Sequence, residues 1–121
     1  NVGATQAIVS GIGQDFTGNL ILIAGGLGKK ADFKLLREVV DKYVSKIILF
    51  GQDKTQLHDA LQDLVPISLV GDLTEAVEAA REAAVPGDIV LLSPACASQD
   101  MFRDFEERGE KFMALVKDMA A

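Results

Sequence analysis

Apolar residues fall into two alternating patterns along the chain. Short continuous runs, mostly of branched side chains, occupy Leu20 to Ala24, Lys46 to Phe50, Ile67 to Val70 and Ile89 to Ser93. They are too continuously apolar for strands with one wet face, which predicts parallel strands covered on both sides. Between the runs lie longer stretches with apolar positions three and four apart, the spacing of a helix stripe. Phe33 to Val44 places Leu35, Leu36, Val39, Val40, Tyr43 and Val44 on one such stripe, with Asp32 as its N-cap. Asp53 caps a second helix ending at Leu61. Asp72, with Glu75 three residues on, has the spacing of a capping box and opens a third helix through Ala84. Pro86-Gly87-Asp88 predicts a turn into the last run.

The two ends read differently. After Asp100, the residues Phe102, Phe105, Phe112, Val116 and Met119 recur at near-helical intervals and predict one long terminal helix closing the core. Val2 to Gly13 reads as a helix with no strand before it, as though the chain began mid-unit, after a strand and hinge. Parallel strands need crossover connections, and these are almost always right-handed. The fold class expected is α/β: a Rossmann-like open, mostly parallel sheet flanked by helices on both faces, with residues 1–121 forming a single domain.

Composition narrows the function classes. A chain of 121 residues with 49% hydrophobic content suffices for one core. Its net charge of -6 argues against nucleic acid as a partner, because phosphate-binding surfaces concentrate Lys and Arg. No apolar run approaches the roughly 18 residues of a membrane span, and no basic-then-apolar leader opens the chain. A soluble, cytoplasmic protein without membrane contact is expected. The single cysteine, Cys96, has no disulfide partner, and neither it nor the single histidine, His58, has companions at metal-ligand spacing, so no structural metal is expected.

In open parallel sheets, ligands bind beyond the carboxyl ends of the strands. Chain order assigns three loops to that edge: Gly25-Gly26-Leu27-Gly28-Lys29-Lys30, Gly51-Gln52-Asp53 and Ser93-Pro94-Ala95-Cys96-Ala97-Ser98. The first combines close backbone approach with two lysines and suits an anion. It is a poor nucleotide P-loop, since Ile23 stands in place of the first glycine and Lys30 in place of the Ser or Thr that holds magnesium. The dinucleotide fingerprint fails as well, with Phe16 where a third glycine belongs. In the last loop, Ser98 precedes the terminal helix and offers a hydroxyl beside free amides, but from the residues alone a plain N-cap is the favoured reading. Cys96 lacks a histidine oriented to activate it and reads as a packed residue, while His58 reads as a surface residue of a helix. On spacing alone Phe105 is a core residue, and Glu106, Glu107 and Arg108 form a solvated face. The residues thus point to an anion site at one sheet edge and leave its ligand open.

Longer strings narrow that choice. LLSPACASQDMFRDFEERG from Leu91 to Gly109, LIAGGLGKKADF from Leu22 to Phe33, and Asn1-Val2-Gly3-Ala4-Thr5 as the end of a DSKATN-type hinge together resemble the D-glutamate-adding ligases of the Mur ligase family. The resemblance spans essentially the whole chain in the right order. It implies the C-terminal domain of a three-domain, ATP-dependent, amide-forming enzyme of peptidoglycan precursor synthesis. That enzyme adds D-glutamate to UDP-N-acetylmuramoyl-L-alanine through an acyl-phosphate. A central domain would bind ATP and Mg2+, and an N-terminal domain the UDP sugar.

The resemblance also assigns roles. Lys29 would pair with a D-glutamate carboxylate, Ser98 would contact the ligand near the terminal helix, the Phe105 amide would donate to a carboxylate, and Gln99 would line the pocket. Leu27 departs from the family's usual Asp, so an acidic contact beside the lysine is missing. The hinge lysine and threonine would precede Asn1. The chain alone is therefore expected to be a monomer that is inactive as an enzyme and binds no cofactor, with D-glutamate and the other two domains as its partners. Two alternatives stand beside this reading: a related Mur or folylpolyglutamate-type ligase domain, and a non-catalytic Rossmann-like binding module.

Overall fold

The computed structural model describes residues 2–15, 18–25, 34–51, 54–85, 87–92 and 112–114. Five strands, β1 (Leu20–Ala24), β2 (Lys46–Leu49), β3 (Ile67–Leu69), β4 (Ile89–Leu92) and β5 (Phe112–Ala114), form one sheet in the order β3-β2-β1-β4-β5. Every neighbouring pair is parallel. Helices α1 (Val2–Asp15), α2 (Lys34–Tyr43), α3 (Lys54–Leu61) and α4 (Leu73–Ala83) flank it.

Two apolar layers sandwich the sheet because side chains alternate along each strand. Leu20, Leu22 and Ala24 of β1 join Ile47, Leu49 and Leu91 beneath α1, α2 and α3, where Val9, Leu36, Val39, Val40, Leu57 and Leu61 are buried. Ile21, Ile23, Ile48, Val90 and Leu92 face the other way, toward Ala76, Val77 and Ala80 of α4. All five β1 residues are buried, as a central parallel strand requires. The alanines of α4 let that helix approach the branched strand residues closely.

Helix placement follows chain direction. From β1 the chain steps outward to β2 and β3 through α2 and α3 on one face, then returns past β1 to β4 through α4 on the opposite face. Right-handed crossovers demand this change of face when the direction of winding reverses. The reversal falls between β1 and β4, whose register pairs Ile23 with Leu92. Among the described residues no helix is long and apolar enough to cross a membrane.

Three expectations need correction. Phe112, expected on a terminal helix, instead lies in strand β5 (Phe112–Ala114), paired with Val90–Leu92 of β4. The run Phe112-Met113-Ala114-Leu115-Val116 is continuously apolar, and β4 offers along its outer side hydrogen-bonding groups that a further parallel strand pairs. The remainder of the expected helix lies outside the described residues. Ile67 to Val70, expected as a strand covered on both faces, holds the edge strand β3, which is half-buried with Leu69 46% exposed. The expected capping box at Asp72 is also shifted. The Asp72 carboxylate accepts from the Glu75 amide at 2.8 Å, yet Glu75 reaches back to the Gly71 amide at 2.6 Å rather than to that of Asp72.

Candidate functional site

At the carboxyl edge the strand ends lie side by side, Ala24 opposite Leu49 and Ile23 opposite Leu92. The chain departs from β1 at Gly25 and from β4 after Leu92, on either side of the winding reversal. In open parallel sheets a reversal of this kind is the position at which ligands bind. The two strongest sequence candidates, the lysine loop and the Ser98 segment, set out from these adjacent ends. Lys29, Ser98, Gln99 and Phe105 themselves lie outside the described residues, as do Leu27, Lys30 and Cys96.

The floor beside Gly25 is tightly built. Phe50 donates its amide to the Ala24 carbonyl at 3.3 Å, continuing the ladder one step beyond the strands. A Cβ at Gly25 would lie 2.7 Å from the Phe50 carbonyl oxygen and 3.1 and 3.2 Å from ring carbons Cε1 and Cζ, so only glycine fits without displacement. Gly51 then turns the chain out of β2 with φ of +89°, a region favouring glycine. The Phe50 contact escaped sequence reading. Its signal was a single aromatic ending an aliphatic run just before a glycine.

Farther along the edge, the end of β3 is closed by local bonds. Val70 donates to the Leu49 carbonyl at 2.9 Å, and Lys54, opening α3, donates through Nζ to the Val70 carbonyl at 3.1 Å. The amides of Gly71 and Glu75 are taken by the carboxylates of Glu75 and Asp72. Those two carboxylates supply negative charge to the start of α4, where an external anion would otherwise be favoured. The winding reversal is thus the better anion position.

The opposite edge is a structural seam. Ser45 Oγ donates to Asn19 Oδ1 at 3.2 Å, Ile89 donates its amide to the Asn19 carbonyl at 3.0 Å, and the buried Asp88 carboxylate accepts from the Val85 amide at 3.0 Å. The expected turn is present there, with Gly87 at φ of +97° and Asp88 donating to the Val85 carbonyl.

Charged contacts away from the winding reversal hold helices. Arg37 of α2 donates to Asp63 at 2.8 and 2.9 Å and to the Ala60 carbonyl at 2.6 Å. The hydrogen bond from Arg37 holds the Asp63 carboxyl well below its usual range, at about 2. His58 lies on α3, partly exposed, with Nδ1 3.3 Å from Asp59 Oδ1, a surface position as expected. Ile23, which stands where a P-loop would have glycine, is fully buried inside β1. Among the described residues no group of three or more His, Cys, Asp or Glu is placed to hold a metal ion.

Comparison with known proteins agrees with this architecture. The family described as "Mur ligase, glutamate ligase domain" matches residues 1–96. The UDP-N-acetylmuramoylalanine–D-glutamate ligase of Pseudomonas fluorescens is 52% identical over 120 residues, 99% of this chain and 27% of its own length. The ligase of that name from Coxiella burnetii is 50% identical over 97% of this chain and 26% of its own length. That from Legionella pneumophila is 47% identical over 98% of this chain and 27% of its own. The chain therefore spans about a quarter of the length of the relatives it matches. A parallel sheet with helices on both faces, a winding that reverses between β1 and β4, and a family match over residues 1–96 lead to one conclusion: the chain belongs to the Mur ligase family, as a glutamate ligase domain.

Proposed function

We propose that this chain is the D-glutamate-binding part of a cytoplasmic, ATP-dependent ligase that adds D-glutamate to UDP-N-acetylmuramoyl-L-alanine. The observation carrying this reading is the pairing of Ile23 with Leu92, which starts the Lys29 loop and the Ser98 segment from neighbouring strand ends. D-Glutamate bears two carboxylates. Lys29 meets one, while the Ser98 hydroxyl and the Phe105 amide meet the other, with Gln99 lining the pocket. Charge-assisted bonds at two points fix the orientation of an amino acid and aim its amine, converting an encounter into a positioned attack. Relatives bearing the corresponding name support the substrate assignment.

ATP supplies the activation of the acceptor carboxylate. That chemistry is assigned to the remainder of the enzyme, and this domain's part is to bind and orient D-glutamate. The test is steady-state kinetics on the intact ligase. Lys29→Ala raises the KM for D-glutamate far more than the KM for ATP. Unchanged D-glutamate kinetics would refute the assignment.

A further inference from the structure

Helix α1 is built of residues that favour helix weakly. Gly3, Gly11 and Gly13 fall within its 14 residues, and Val2, Thr5, Ile8, Val9 and Ile12 are β-branched. No acid stands in its first turn and no base in its last, where Asp15 instead opposes the helix dipole. Other helices are better furnished: α2 ends with Lys42, 3.7 Å from Glu38, and α4 opens on the Asp72 cap. Tertiary packing therefore holds α1 in shape, and its main support is α2. Thr5 and Val9 are fully buried, and Ile12 packs partly against the same layer as Val9. Gly13 lies on the Tyr43 ring: a Cβ there would overlap Cγ and Cδ1 and come within 2.7 Å of Tyr43 Cβ. Gly13 thus serves the fit between the two helices. Gly11 serves no such fit, since it is exposed and a Cβ there would meet nothing within 4 Å among the described residues. No contact of that kind offsets its cost to the helix.

We propose that α1 is a latch, a helix that opens from α2 as a unit while the sheet stays folded, and that Gly11 sets how often it does so. Opening withdraws Thr5 and Val9 and uncovers the Tyr43 ring together with the apolar layer beneath. β1, paired on both sides and buried throughout, keeps its bonds during that event.

The test is native-state hydrogen exchange on the intact ligase, read as protection factors for the amides of 2–15 and of 21–23. In the unaltered enzyme α1 is protected about tenfold less than β1, or weaker still. Gly11→Ala raises the protection of α1 about fivefold, the effect of one glycine-to-alanine exchange in a helix. Gly13→Ala makes the same chemical change and lowers that protection, because the added methyl strikes Tyr43. Val77→Ala, in the layer on the opposite face, lowers the protection of β1 and leaves that of α1 unchanged, since the closed and latch-open states lose that packing alike. Equal protection of α1 and β1, no change in Gly11→Ala, a rise in Gly13→Ala matching that in Gly11→Ala, or an equal fall of both elements in Val77→Ala overturns the proposal. If Val77→Ala does not fold, Asp72→Ala weakens the same face through the α4 cap and is read by the same criteria.

Discussion

The Arg37–Asp63 pair shows how a single contact reports on folding. Two nitrogens of one guanidinium engage both oxygens of Asp63, a geometry that favours the ionised carboxylate. Its folded value is depressed, from 3.8 to about 2, so its contribution to stability is complete above about pH 4 and is lost as the pH falls toward 2. The side chains are 40% and 59% exposed, which keeps the contribution modest and salt-sensitive. Asp63→Asn is expected to flatten the fall of the urea midpoint between pH 4 and pH 2 relative to the unaltered chain. Parallel pH profiles for the two would show that the pair contributes nothing to folding. At this scale the sequence was poorly legible. Arg37 and Asp63 are 26 positions apart, and neither lies in a motif, so only the packing of α2 against α3 reveals them. The same holds for Phe50 against Gly25.

Elements were the most legible scale, for a reason visible in β1. Its observed bounds, Leu20–Ala24, coincide with those of the apolar run, because a central strand buried on both faces must be apolar throughout. The start of α4 was similarly readable, since Asp72 is its N-cap and accepts from the Glu75 amide. Replacing Asp72 by Ala is expected to cost about 1 kcal/mol in urea unfolding, and Asp72→Asn much less, because Asn retains an acceptor. Equal losses in the two variants would place the effect elsewhere than in the cap. Where the pattern misled, two physical readings competed. Phe112 fits both a helical stripe and a continuous apolar run, and the unpaired edge of β4 decides for the strand. In β3, apolar content did not reveal that the segment lies at the edge of the sheet, which depends on strand order.

For the molecule as a whole, protection should follow position in the sheet. β1 bonds to strands on both sides and carries only buried side chains, whereas β3 bonds along one side and is half-buried. Native-state hydrogen exchange should find the amides of 21–23 slowest and those of 67–69 fastest among β1 to β4. Equal protection in β1 and β3 would contradict the layering described above. The site was legible at this scale only in outline. Chain order alone named the loops at the carboxyl edge, and strand order adds that two of them leave from neighbouring ends. The individual contacts of Lys29, Ser98, Gln99 and Phe105 rest on the family's motifs, since neither charge nor spacing distinguishes a ligand lysine from a solvated one.

The shortness of β3 also bears on how copies of the chain meet. An edge strand with open peptide groups is a template on which another molecule can add its own backbone, and the exposed Leu69 would reward such stacking. Only three residues are in strand conformation, and Pro66 immediately before them has no N–H to offer. This margin of the sheet therefore presents few donors in line, which makes it a poor template for the addition of a second chain.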